Sequence, residues 1–115
     1  LGKFILGLFF IFVSCSLQAM NTGNYYQISQ VYTWSDYTEG TFLVLLKNPR
    51  QSTVDLCAGG FWLDGENDKN ATVYSTVLSA YHSNTKVRIY ADENQDWSGL
   101  SSKNCKLKLV VLEPK

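Results

Sequence analysis

Two hydrophobic periods alternate along the chain. From Tyr25 to Trp34, YYQISQVYTW, residues Tyr26, Ile28, Gln30, Tyr32 and Trp34 fall on one face of an extended segment and Tyr25, Gln27, Ser29, Val31 and Thr33 on the other. Gln30 is the one polar interruption of the first face, and this two-residue period predicts a strand. After the polar punctuation SDYTEG, the unbroken apolar run TFLVLL from Thr41 to Leu46 predicts a second strand, closed by the turn KNPRQS. VDLCAGGFWL, Val54 to Leu63, reads as a third strand, with Gly59 and Gly60 marking a bulge or sharp bend. The period then changes. Val73, Val77, Ala80 and Tyr81 fall at helical spacing, Tyr74 and Leu78 widen the stripe, and a helix is expected over residues 71–82, with Asn70 as N-cap and Asn84 as stop. KVRIYA and CKLKLVVLE supply a fourth and a fifth strand, with Leu107, Leu109 and Val111 on one face of the last and Lys106, Lys108 and Val110 on the other.

The order is three strands, a helix, then two strands. It predicts a mainly β fold, a five-stranded oligonucleotide/oligosaccharide-binding (OB-fold) barrel with one helix between strands 3 and 4. The helix face opposite Val73 and Val77 carries Ser75, Thr76, Ser79, His82 and Ser83, with no lysine or glutamate. Small uncharged residues let helices approach closely, so this face predicts packing against copies of the same helix.

The start of the sequence adds a compartment. Lys3 precedes the apolar run FILGLFFIFV, and small residues and LQA follow, the three-part pattern of a secretory signal peptide. Residues 1–19 are read as that signal, cleaved after Ala19, and 20–115 as a single domain. Ten apolar residues are too few for a membrane span, which needs about 20. The expected location is secreted or periplasmic; the rival is a lipoprotein, since FVSC places Cys15 behind small residues as a lipidation box would. Past residue 19, nine basic residues stand against ten acidic ones, so no strong field attracts a nucleic-acid backbone and nucleic acid is excluded as a partner. Cys57 and Cys105 are the two cysteines left, and in an oxidising compartment they are expected to pair.

The first strand with ISQVYT, the cysteine at the third strand, the tyrosine-rich helix, VRIY and the downstream Trp97 resemble the B subunits of AB5 toxins of the subtilase-cytotoxin and typhoid-toxin type. The similarity runs from about Asn24 to Trp97 and is densest around KVRIY. It implies a non-catalytic subunit that binds host glycans, commonly sialylated, forms a pentameric ring around a bundle of helices and accompanies a toxin A subunit. The family's sugar pocket uses a serine near the start of the first strand and a tyrosine near the end of VRIY. The matching positions are Asn24, with Tyr25 beside it, and Ala91; neither family residue type is kept, and Tyr90 lies one position away. The alternative, from another class, is a monomeric secreted or periplasmic interaction protein, an inhibitor or envelope factor, built on the same barrel.

Three chemistries compete for the polar loop ADENQDWSG. Asp92, Asn94, Asp96 and Ser98 have the first spacings of a calcium loop, but Trp97 stands where the sharp turn needs glycine and Lys103 where a bidentate glutamate should close the shell. Paired carboxylates for acid/base work are available in Asp92, Glu93 and Asp96, or in Asp64, Glu66 and Asp68, yet a domain of this size has little material for a glycosidase cleft. Recognition asks least: an aromatic ring against an apolar sugar face, with amides and carboxylates for hydroxyls. Trp97 with Asn94, Asp96 and Ser98 supplies this, as does Trp34 with Asp36 and Tyr37; a partly buried cap on the barrel is the other reading of each tryptophan. No cofactor or metal is expected. NAT at Asn70 matches a glycosylation acceptor but is read as helix capping.

Overall fold

The computed structural model of the chain describes residues 20–115. The expected signal peptide, residues 1–19, and Cys15 with it, lie outside the described residues. The ordered elements are β1 (Met20–Asn21), β2 (Ile28–Trp34), β3 (Thr41–Leu46), α1 (Gln51–Cys57), β4 (Phe61–Asp64), a 3-10 turn (Lys69–Ala71), α2 (Thr72–Ser83), β5 (Val87–Asp92) and β6 (Cys105–Leu112). Among the described residues no helix is long and apolar enough to cross a membrane.

The fold is mainly β, as expected, but it is a six-stranded mixed sheet with two helices rather than a closed five-stranded barrel. The strand order is β1-β5-β6-β4-β3-β2, antiparallel except where β4 runs parallel to β6. The two edges, β1 and β2, are successive stretches of one segment. Met20 and Asn21 pair with Ala91 and Tyr90 of β5, Thr22 hydrogen-bonds Ile89, and Tyr26 bridges Val87 before the chain crosses to pair with β3. One segment therefore passes from one edge of the sheet to the other by way of the single Tyr26–Val87 bridge, and the sheet does not close.

The expected third strand is half helix. Val54 and Leu56 alternate with Asp55 and Cys57 as strand residues would, yet Thr53 and Cys57, four apart, are both buried and Leu56 lies beside them, while Val54 is exposed. That spacing is one face of a helical turn, and Gln51 Nε2 donates to Asp55 at 2.8 Å along its solvent side. Gly60 then turns the chain into β4 at φ +99, a conformation that glycine adopts without steric penalty.

Two β-bulges change which side chains are buried. Ser29 is an extra residue between the pairs Ile28–Leu46 and Gln30–Leu45, and Lys108 is another between Leu107–Ala91 and Leu109–Tyr90. Each inverts the alternation behind it. Ile28 and Val31, and likewise Leu107 and Val110, face the core, whereas Leu109 is 49 % exposed and Tyr32 41 %. The face assignments expected for both strands hold only up to these bulges.

The core joins Phe42, Val44 and Leu46 of β3, Phe61 and Leu63 of β4, Val87, Ile89 and Ala91 of β5 and Leu107 of β6, with Val77 and Ala80 of α2 laid over them. The expected helix is present, though Tyr81 points away from the core, 40 % exposed. Its N-terminus is capped by Asp68 rather than Asn70: the Asp68 carboxylate accepts from the Val73 and Tyr74 amides at 2.8 and 2.9 Å. Asn70 lies instead inside the 3-10 turn at φ +58. Asn84 ends the helix in the left-handed conformation, as expected. Cys57 and Cys105 form the expected disulfide, with Cα atoms 5.4 Å apart, tying α1 to the first residue of β6. Closing this 48-residue separation contributes about 4 kcal/mol by chain-entropy reasoning. A disulfide is compatible with an extracytoplasmic location.

Candidate functional site

A row of cross-strand partners starts the site. Tyr32, Leu43 and Trp62 stand opposite one another across β2, β3 and β4, and the row continues through Lys106 of β6 to Asp92 of β5. These residues lie on the side of the sheet away from the core, where the bulge at Ser29 has placed Tyr32 and, two residues on, Trp34. Leu43 on that outer side is nevertheless only 3 % exposed, with Tyr32 and Trp62 as its cross-strand partners on either side.

The rings come from four elements. Tyr32 and Trp34 stack with centroids 5.9 Å apart, and Trp97, from the loop between β5 and β6, packs edge-on to Trp34 at 4.8 Å and to Tyr37 at 5.5 Å. Trp62 lies 6.5 Å from Trp97, and Lys106 Nζ sits 5.7 Å over the Trp62 ring. Each such aromatic pair adds about 0.5–1.5 kcal/mol beyond area burial. The cluster still presents Tyr32 and Tyr37 to solvent, Tyr37 at 48 % exposure, with Trp34, Trp62 and Trp97 half-buried behind them. All three tryptophans of the chain belong to it.

The loop that carries Trp97 is held by Asn104, which is fully buried. Asn104 Oδ1 accepts from the Trp97 amide at 2.7 Å, and its Nδ2 donates to the Trp97 and Ser102 carbonyls, both at 3.2 Å. The Asn104 amide in turn donates to Asp96 at 2.8 Å. Trp62 Nε1 adds a bond to the Gln95 carbonyl at 2.8 Å. Gly99 lies against the Trp97 ring so closely that a side chain at 99 would occupy the same space.

The loop carboxylates are committed to this architecture. Asp92 accepts from the Asn94 amide at 2.9 Å and from Gln95 Nε2 at 2.7 Å; the Gln95 bond, then the Asn94 amide, hold its carboxyl below the usual value. Asp64 accepts from the Asn67 amide and side chain, and Asp68 caps α2. Among the described residues no three His, Cys, Asp or Glu side chains converge as a metal site.

The residues expected to contact a ligand fall into two groups. Trp34 and Trp97 meet in the aromatic face, Asp92 ends the cross-strand row, Asp96 holds Asn104 in the Trp97 loop, and Asp36 and Asn94 are exposed in the two loops that carry Tyr37 and Trp97. Asn24 and Tyr25 lie in the β1–β2 connection beside Val87, where the Arg88 guanidinium covers the Tyr25 ring at 4.5 Å. That is the opposite end of β5 from Asp92, about 16 Å away along the strand. Ala91 is fully buried in the core and presents no surface to a ligand; Tyr90, half-exposed, is its outward neighbour.

Trp62, Asn104 and Leu43 belong to the site without having been singled out in the sequence. Trp62 carries a legible signal, a large ring alternating with the buried Phe61 and Leu63 on a short strand; Asn104 carries none.

At the end of β2, on the core side of the sheet, a cleft of about 340 Å³ opens between the turn 35–40 and the start of α2. Trp34, Glu39, Gly40, Asp68, Ala71 and Tyr74 are among the residues that line it, and none of its lining residues is Lys or Arg. The chain matches no family model, no curated protein and no solved structure.

Proposed function

We propose that the chain is a non-catalytic carbohydrate-binding protein whose ligand packs on the face made by Tyr32, Trp34, Tyr37, Trp62 and Trp97. The observation that carries this is the exposed aromatic cluster itself: two loops and two strands spend five large rings on a solvent-facing surface while the core is filled by other residues. Such rings cover the apolar faces of sugar rings, and Asp36, Asn94 and Ser98 are exposed nearby to meet hydroxyls.

The OB-fold reading gives the same surface its place. Taking β2 to β6 as the five strands, the order β2-β3-β4-β6-β5 with a helix before β5, the parallel β4–β6 pair and the Tyr26–Val87 bridge between the edges support a partly open barrel of that kind. In OB folds oligosaccharides and oligonucleotides bind on the face of the second and third strands between the loop after the first and the loop before the last. Here those are β3, β4, the turn 35–40 and the loop 93–104. The near-neutral charge turns the choice toward sugars.

The finer reading is a secreted, host-receptor-binding B subunit of an AB5-type toxin, assembled as a ring. A low-charge α2 surface supports self-association: Thr76 and Ser83 hydroxyls bond back to the Thr72 and Ser79 carbonyls, and Tyr81 is exposed beside them. Exposed Leu109 and Leu112 on β6 fit equally a monomeric interaction protein that docks a different partner. A glycan array with wild type and Trp97→Ala tests the binding: at least one glycan is expected to bind, with at least a tenfold loss in the variant. An array with no binder above background refutes the carbohydrate reading, and a monomeric mass in solution refutes the ring.

A further inference from the structure

Resting on the carbohydrate-binding reading, we propose that the cleft between the turn 35–40 and α2 is a second subsite of the same site, and that the ligand is an uncharged glycan of at least two residues. One sugar lies on the aromatic face and the next enters the cleft. The cleft's lining takes in Trp34 and Glu39, on either side of Tyr37 in the chain, while Thr33, Phe42 and Tyr74 extend it onto the core side of the sheet, so the ligand reaches it from the aromatic face around the end of β2. A volume of about 340 Å³ is at the small end of ligand sites, which run from about 300 to 1,000 Å³, so the cleft takes one ring rather than a chain.

The charge around the cleft selects against acidic sugars. The turns that bound it, residues 35–40 and 64–71, hold Asp36, Glu39, Asp64, Glu66 and Asp68 against a single cation, Lys69. The start of α2 would ordinarily offer an anion its free amides. Here Asp68, 5 % exposed, already takes the Val73 and Tyr74 amides with both of its oxygens, so that positive end is covered by a carboxylate of the protein's own. A sialic acid or sulfate in the cleft would meet Glu39 with no lining Lys or Arg to compensate. Lys106, the cation of the aromatic face, sits over Trp62 and is not among the cleft's lining residues.

The backbone of both walls is specialised as well. Thr38 and Glu39 on one side, and Asn70 and Ala71 on the other, all hold positive φ. Thr38 is β-branched and Ala71 has no polar side chain to offset the cost, and strain of this kind gathers at ligand sites.

The test uses the disulfide-bonded protein and a panel in which neutral glycans stand beside their sialylated counterparts, followed by one to four residues of the best neutral binder. Tryptophan emission and calorimetry report binding. Neutral members are expected to bind at least tenfold more tightly than sialylated ones at 20 mM salt, with the gap narrowing at 500 mM and in Glu39→Gln. The disaccharide is expected to bind at least fivefold more tightly than the monosaccharide, and Thr33→Phe, which fills the cleft from β2, to remove that gain while leaving the monosaccharide affinity unchanged. Sialylated glycans binding equally well or better, with no response to Glu39→Gln, overturn the charge selection. A monosaccharide that binds as tightly as the disaccharide overturns the second subsite. Both results leave the carbohydrate reading standing; binding of no member of the panel removes that reading and this one together. Should Thr33→Phe fail to fold, the length series on wild type and the exposed Glu39→Gln variant still decide both points.

Discussion

Asn104→Ala removes the residue that fixes Trp97, and its cost follows from the hydrogen bonds it makes. The substitution deletes one acceptor, for the Trp97 amide, and two donations, to the Trp97 and Ser102 carbonyls, while keeping the backbone bond to Asp96. At about 1 kcal/mol net for each bond the loss approaches 3 kcal/mol. Trp97 is only half-buried, so water reaches part of what is freed, and about 2–3 kcal/mol is expected. With a domain of this size holding about 5–15 kcal/mol in all, that is a large share. In urea, at a slope of about 1–1.5 kcal/mol per molar, the midpoint falls by about 2 M. Emission should move to longer wavelength in the folded variant, because all three tryptophans belong to the cluster that Trp97 joins. Asn104→Asp should be at least as damaging at neutral pH, since it keeps the acceptor, loses both donors and sets a carboxylate beside Asp96. A midpoint within 0.5 M of wild type, with unchanged emission, would show that the loop is held by something other than Asn104.

Two further outcomes are expected. Reducing Cys57–Cys105 removes about 4 kcal/mol and lowers the melting temperature by about 16–30 °C in a chain of this length, and a drop under 5 °C in calorimetry with and without reductant refutes that assignment. Asp92 is held below its ordinary pKa by Gln95 and the Asn94 amide, so its contribution is complete above the unfolded value near 4 and is lost as pH falls through the lower folded value; Asp92→Asn should flatten the pH dependence of urea stability below pH 4, and an unchanged slope counts against it.

Most of the elements could be read from the chain because period and punctuation agree there. TFLVLL, VRIY and the helix over Val73, Val77 and Ala80 each have one period and clear stops, and each is found where expected. The Cys57–Cys105 pair followed from cysteine number and an expected oxidising compartment. The segment Val54–Cys57 was not legible as helix because four residues with alternating polarity satisfy both periods, and what decides between them is tertiary. Thr53 and Cys57 are buried together, and Cys57 bonds to a strand 48 residues away. Helix capping failed in the same way: Asp68 and Asn70 both suit the role, and the choice rests on a left-handed step at Asn70 and Ala71 that composition does not announce.

The aromatic site was half legible, and the missing half has one physical cause. Trp34 and Trp97 stood out as candidates in separate loops, but nothing in the sequence says they meet, because their contact depends on how strongly the sheet curls. Strict alternation puts Tyr26, Ile28, Tyr32 and Trp34 on a single face, which would bury both later rings with Ile28. The extra residue at Ser29 breaks that continuity, sending Ile28 inward and the rings outward. A bulge is one residue of surplus length with no fixed composition, so it leaves no mark on the pattern while it reverses every side chain beyond it. Outward placement of Tyr32 and Trp34 is therefore imposed by register rather than tolerated as residual exposure. Leu43, paired with Tyr32 and Trp62 on that face and outside the main core cluster, is buried as well, so the outer face carries a small apolar layer of its own. A layer that has sealed its leucine and yet leaves Tyr32 and Tyr37 about half exposed has apolar surface beyond what the fold consumes. That surplus, bounded by the Asn104-pinned loop, is the feature on which the proposed recognition role rests, and the Trp97→Ala comparison on a glycan array is what separates that role from a cap on the sheet.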